Sequence, residues 1–195
     1  EAILHALCED LEAVGVRREE IVVLSQNPQQ TELEHGVSAL PRYNLQAIWR
    51  ALGSARLLVS GGGSLLQDVT SKRSISYYLG IVELARLRKV PTIMYGQGLG
   101  PVHSKFFQRW VKRAFQTSAG ASVRDQDSLQ FLLDLGLPQE KITLAADPVF
   151  QWESLPRGKP EQKILLNLRP YFLWDEQKSR WLEHLQLWQD QGYQL

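Results

Sequence analysis

Arg124 stands in "ASVRDQDS", where a short apolar run gives way to polar residues and then to a helix-like stretch. A guanidinium at the carboxyl end of a strand can grip a carboxylate or phosphate through two parallel N–H bonds. Its competing use is a local ion pair with Asp125 or Asp127. Two glycine-rich stretches offer the other half of an anion site. "LLVSGGGSLLQD" carries Gly61, Gly62 and Gly63 followed by Ser64, and "GQGLGP" carries Gly96, Gly98 and Gly100 before Pro101. Glycine permits positive φ and lets a ligand lie against bare main-chain N–H groups. The same residues also serve tight turns or the close packing of a helix on a strand. Neither stretch is the G-x-G-x-x-G dinucleotide fingerprint.

Polar groups follow the triplet. Asp68, Thr70, Ser71 and Arg73 could line an anionic or sugar site, with Asp68 as the candidate proton acceptor; as a solvated loop they would have no such role. His103 lies in the loop after Pro101, Asp147 precedes a turn-opening proline, and Asp125 is placed to cap a helix.

Such residues need a scaffold, and the hydrophobic period supplies one. Residues 1–14 read as an amphipathic helix, 21–25 as a strand and 26–36 as a polar loop. Asn44 caps the next helix. Strands are then expected over 56–61, 91–98, 121–125 and 141–147, with helices over 74–89, 104–117 and 126–135 between them. Short apolar strands alternating with helices imply parallel pairing with both sheet faces covered, a doubly wound, mostly parallel Rossmann-like α/β sheet. In such sheets ligands bind beyond the carboxyl ends of the strands, where the glycine stretches, Arg124 and Asp147 all fall.

The helix over 104–117 turns Phe107, Trp110, Val111 and Ala114 inward and presents Lys105, Arg109, Lys112 and Arg113 outward. That basic face is either a solvated surface or a peripheral contact for anionic lipid heads. Residues 151–162 hold two prolines, a glycine and charges, and read as a linker. A strand over 163–171 and a helix over 175–191 would then open a second α/β domain.

Bulk properties narrow the classes. Of 195 residues, 44% are hydrophobic and 22% charged, and the net charge of +1 gives no field suited to nucleic acid. One cysteine allows no internal disulfide and no zinc cluster, which fits a cytoplasmic setting. No apolar run approaches the roughly 20 residues of a membrane span. The chain opens in a helix and closes at "GYQL", as an interior piece of a longer enzyme would.

In order, "GGGSLLQDVTSKRSISYYLGIVELARLRKVPTIMYGQGLGP", "SVRDQDS", "AADPVF" and "LNLRPY" resemble the polysaccharide pyruvyl transferase family. The resemblance implies two Rossmann-like domains around a cleft, similar to GT-B glycosyltransferases: 1–150 as the first, lacking its first strand, and 163–195 as the truncated start of the second. It implies transfer of a pyruvyl group from phosphoenolpyruvate to a saccharide, with ketal formation and phosphate release. The acceptor would be a lipid-linked cell-wall or exopolysaccharide precursor at the cytoplasmic face. Phosphoenolpyruvate is a donor substrate, and neither cofactor nor metal is implied. The family's donor-binding arginine falls on Arg124, and its further donor and acid residues fall beyond Leu195. Alone, this piece would then not turn over. The competing functions are a nucleotide-sugar glycosyltransferase and a non-catalytic module binding a saccharide or lipid phosphate.

Overall fold

The computed structural model describes residues 2–69, 71–151, 162–164, 166 and 174–194. Glu1, Thr70, residues 152–161 of the expected linker and most of the strand expected over 163–171 lie outside the described residues. The chain divides into two compact units, Glu1–Glu153 and Ser154–Leu195.

The first unit is α/β with parallel pairing throughout its described ladders, the doubly wound Rossmann-like class that the alternation implies. It opens with α1 (Ala2–Ala13), β1 (Val22–Ser25), α2 (Pro28–His35), β2 (Ser38–Pro41) and α3 (Leu45–Ser54). There follow β3 (Leu58–Ser60), β4 (Gly63–Leu66), α4 (Lys72–Leu87), β5 (Thr92–Leu99) and α5 (Lys105–Thr117). It closes with β6 (Gly120–Val123), α6 (Gln126–Asp134) and β7 (Thr143–Leu144). Strands β1 and β2 pair with each other. The larger sheet runs β3-β5-β6-β7, with β4 also on β5.

Strands β3 and β4 are two halves of one strand. Leu58 pairs with Thr92 and Gly63 with Gln97, the same offset on both sides of the interruption. The chain was expected to leave the sheet at the glycines. Instead it breaks at Gly61–Gly62 and resumes. The segment 26–36 also departs from expectation, because α2 occupies it. Pro28 starts that helix, Gly36 ends it in the left-handed region at φ 65°, and the Gly36 N–H reaches the Glu32 carbonyl. Its anchors are Thr31 and His35, both buried, which is why no aliphatic period marked it. The strand expected over 141–147 shrinks to β7.

Other local signals hold. The Asn44 side chain accepts the Ala47 N–H at the start of α3, and Asp125 accepts the Ser128 N–H at the start of α6. On α5, Phe107, Val111 and Ala114 are buried. They join Leu79 and Ile75 of α4, Met94 of β5 and Leu132 of α6 in the main core. A second cluster packs Ile48 and Leu52 of α3 on Ile81 and Ala85 of α4.

In the second unit α7 (Trp174–Asp190) is followed by Gly192 at φ 85° and an isolated parallel bridge between Lys163 and Gln194.

Candidate anion site at the carboxyl edge of the sheet

The start of β4, the carboxyl ends of β5 and β6 and the segment after β7 meet around one guanidinium. Arg124 follows β6, and its main-chain N–H donates to the Gln97 carbonyl of β5 at 3.2 Å. Its side chain then crosses β5. Nη1 donates to Asp147 Oδ2 at 2.5 Å and Nη2 to Ser64 Oγ at 2.9 Å. Nε lies 3.9 Å from Asp125 Oδ2, beyond hydrogen-bond reach. The close, hydrogen-bonded ion pair is therefore with Asp147, and the expected local pair with Asp125 is present as a longer contact beside it.

The crossing depends on Gly98. A β-carbon there would stand 2.7 Å from Nε and 2.9 Å from Nη2. Only a residue without a side chain lets the guanidinium lie flat on the strand. With the side chains of Arg124 and Asp147 23% and 20% exposed, the pair is sheltered but open on one side. Two of the five guanidinium N–H groups are engaged at these contacts, leaving donors for a carboxylate or phosphate.

The other glycines make room for protein. Gly62 lets the broken strand approach β5, since a β-carbon would meet the Gly96 carbonyl oxygen at 2.9 Å. Gly61 and Gly63 face Leu7 and Ile3 of α1. The space expected for a ligand over the triplet is thus taken up by a helix and a neighbouring strand. Gly96, at φ 56°, admits the Pro148 ring. Gly100, at φ 82°, precedes a cis peptide to Pro101.

Serines complete the backbone where β5 departs from regular pairing. Ser122 Oγ accepts the Gly96 N–H and Ser128 Oγ the Leu99 N–H, each at 2.8 Å. The fully buried Gln97 donates from Nε2 to the carbonyls of Ser60 and Gly61, tying the break to β5. Sequence reasoning missed Gln97, Ser122 and Ser128, which carry no local signal of such partners. Beside them a cavity of about 230 Å³ is lined by Tyr95, Gly96, Ser122, Asp147, Pro148 and Phe150, among others. The Tyr95 hydroxyl donates to the Asp10 carboxylate of α1. Burial and that carboxylate push the phenol up to about 12.

Asp68 does not join Arg124 in any described contact. Its carboxylate accepts the His103 N–H at 2.9 Å and the Ser104 N–H at 2.8 Å, pinning the loop that leads into α5. Those main-chain donors hold its carboxyl below the usual range, which makes it a weak proton acceptor. Among the described residues no cluster of three His, Cys, Asp or Glu has metal-binding geometry. None of the described helices is long and apolar enough to cross a membrane.

An open parallel α/β unit with a part-committed arginine at its carboxyl edge is of the Rossmann-like class, in which ligands bind beyond the carboxyl ends of the strands. The family model for polysaccharide pyruvyl transferase matches residues 1–194, and the chain belongs to that family, whose members are transferases. None of the curated proteins matches it.

Proposed function

We propose that the chain belongs to an enzyme transferring a pyruvyl group from phosphoenolpyruvate to a saccharide, with Arg124 holding the donor's carboxylate or phosphate. One observation carries this reading: a guanidinium stretched over Gly98, fixed by Asp147 and Ser64, with N–H donors left over. Phosphoenolpyruvate presents two anionic groups on a three-carbon frame, and a rigid fork of donors suits such a ligand. Asp147 and Ser64 position the fork.

Protonation of the donor's methylene carbon gives an oxocarbenium-like centre. One saccharide hydroxyl attacks, the C–O bond to phosphate breaks, and a second hydroxyl closes the ketal as inorganic phosphate leaves. An anion clamp favours departure by stabilising the charge that accumulates on phosphate. The acceptor class in this reading is a lipid-linked cell-wall or exopolysaccharide precursor. The outward cations Lys105, Arg109, Lys112 and Arg113 of α5 suit peripheral contact with an anionic membrane face.

Calorimetric titration with phosphoenolpyruvate tests the assignment. The expected result is saturable binding weakened at least tenfold in Arg124→Ala, with no comparable response to a nucleotide-sugar. Equal binding by wild type and Arg124→Ala, or preference for the nucleotide-sugar, would overturn it.

A further inference from the structure

A second cleft lies at the carboxyl end of β2, where the chain passes from Pro41 into Arg42. It has a volume of about 460 Å³ and is lined by Arg42, Tyr43, Ser71, Arg73, Ser74, Tyr77 and Tyr78. None of these residues touches Arg124, Asp147 or Ser64 in any contact described above. Two of the seven are arginines and none is acidic, so the cleft carries uncompensated positive charge.

Its walls come from two elements. The Arg42 N–H donates to the Ser25 carbonyl, extending the pairing of β2 by one step and fixing where the side chain departs. That side chain lies over the Tyr43 ring, with its carbon 4.8 Å from the centroid, and Nη2 donates to the Tyr43 hydroxyl at 2.8 Å. Opposite, Ser74, Tyr77 and Tyr78 share one face of α4 by their three- and four-residue spacing. Tyr77 stacks edge-on with both Tyr43 and Tyr78, at 5.5 Å and 5.1 Å between centroids. Arg73 enters from the first turn of the same helix.

Two polar atoms in these walls have no partner. Arg42 Nε and the Tyr77 hydroxyl are both shut off from solvent and make no hydrogen bond. Buried donors are almost always satisfied, and one left unpaired is destabilising. Here two such donors belong to residues that line the same cleft. Burial also pushes the Tyr77 phenol up to about 12, so it keeps its proton and remains a donor.

We propose that this cleft binds a phosphoryl group, either as a phosphate ester or as free inorganic phosphate. Two guanidinium groups, a phenol and the Ser71 and Ser74 hydroxyls are donors suited to several oxygens around one phosphorus. The volume exceeds what a phosphate alone fills, and the tyrosine rings provide apolar surface for an organic body attached to it. A neutral saccharide would leave both arginines uncompensated. The inference stands apart from the donor assignment, because the two sites share no residue.

The test uses the whole chain with inorganic phosphate, glucose 1-phosphate and glucose as probes. Arginine-selective modification by phenylglyoxal, mapped by peptide mass spectrometry, reads the site directly and needs no variant. Saturating glucose 1-phosphate or inorganic phosphate is expected to slow modification of Arg42 and Arg73 at least fivefold, in wild type and in Arg124→Gln alike. Glucose is expected to leave it unchanged. In calorimetry, Arg42→Gln with Arg73→Gln should weaken binding of the protecting probe roughly tenfold. Tighter binding of glucose 1-phosphate than of phosphate supports an ester ligand, and the reverse supports the free ion. The proposal is overturned if neither phosphorylated probe protects Arg42 and Arg73, if glucose protects them as well, or if protection disappears in Arg124→Gln.

Discussion

At Arg124 charge and geometry separate cleanly. A lysine would keep the charge but could not reach Asp147 and Ser64 together through a planar fork. Arg124→Lys is therefore expected to weaken phosphoenolpyruvate binding about tenfold, measured by calorimetry. Asp147→Ala removes the hydrogen-bonded counter-charge of a sheltered guanidinium, and a stability loss of ~1–3 kcal/mol is expected in urea unfolding. Asp68 gives a pH signature. Its carboxyl titrates lower in the folded chain than in the unfolded chain, because the N–H groups of His103 and Ser104 stabilise the ionised form. Its contribution is thus fully present above the ordinary carboxylate range and is lost as pH falls through the depressed folded value. Thermal unfolding of wild type and Asp68→Asn should differ near neutrality and converge on acidification. A gap that stays constant with pH would refute this account of the loop.

Among the elements, β5 separates two kinds of glycine. At Gly98 an added methyl group meets the end of a flexible side chain, so Gly98→Ala should fold with a loss of ~1–2 kcal/mol while displacing the Arg124 guanidinium. At Gly62 it meets the Gly96 carbonyl oxygen, which cannot swing aside. Gly62→Ala is expected to be destabilising by ~1–3 kcal/mol, with the larger urea effect of the two and the smaller direct effect on anion binding. The alternation of strands and helices, the caps at Asn44 and Asp125 and the buried face of α5 were legible because each is written in local spacing. Arg124 was legible as a cation at a strand end. Its partners were not: Ser64 is 60 residues away and Asp147 is 23, and only strand order brings them together. Helix α2 stayed hidden because threonine and histidine bury its inner face. The continuation of β3 into β4 was obscured by glycines that also suit a turn.

Across the first unit, α1 ties several features together. It lies against the glycine triplet through Ile3 and Leu7, contacts the short turn Pro148–Gln151 and accepts the Tyr95 hydroxyl at Asp10. It also holds the chain's one cysteine, Cys8, which has no exposed surface and whose thiol is pushed up by burial. Alkylation of Cys8 in native buffer should be at least about a hundredfold slower than in denaturant, with a rate set by detachment of α1. Rapid labelling of the folded chain would show that this helix is not seated on the triplet. Strand β5 has a further consequence. It is flanked on one side by the two halves of a broken strand and on the other by β6, and it carries Gly96, Gln97 and Gly98 at its carboxyl end. Its amides should be among the slowest to exchange with deuterium even without ligand, leaving little further protection to gain there. The added protection on ligand binding should instead appear in the segments around Ser64 and Asp147, which close upon β5 as on an anvil.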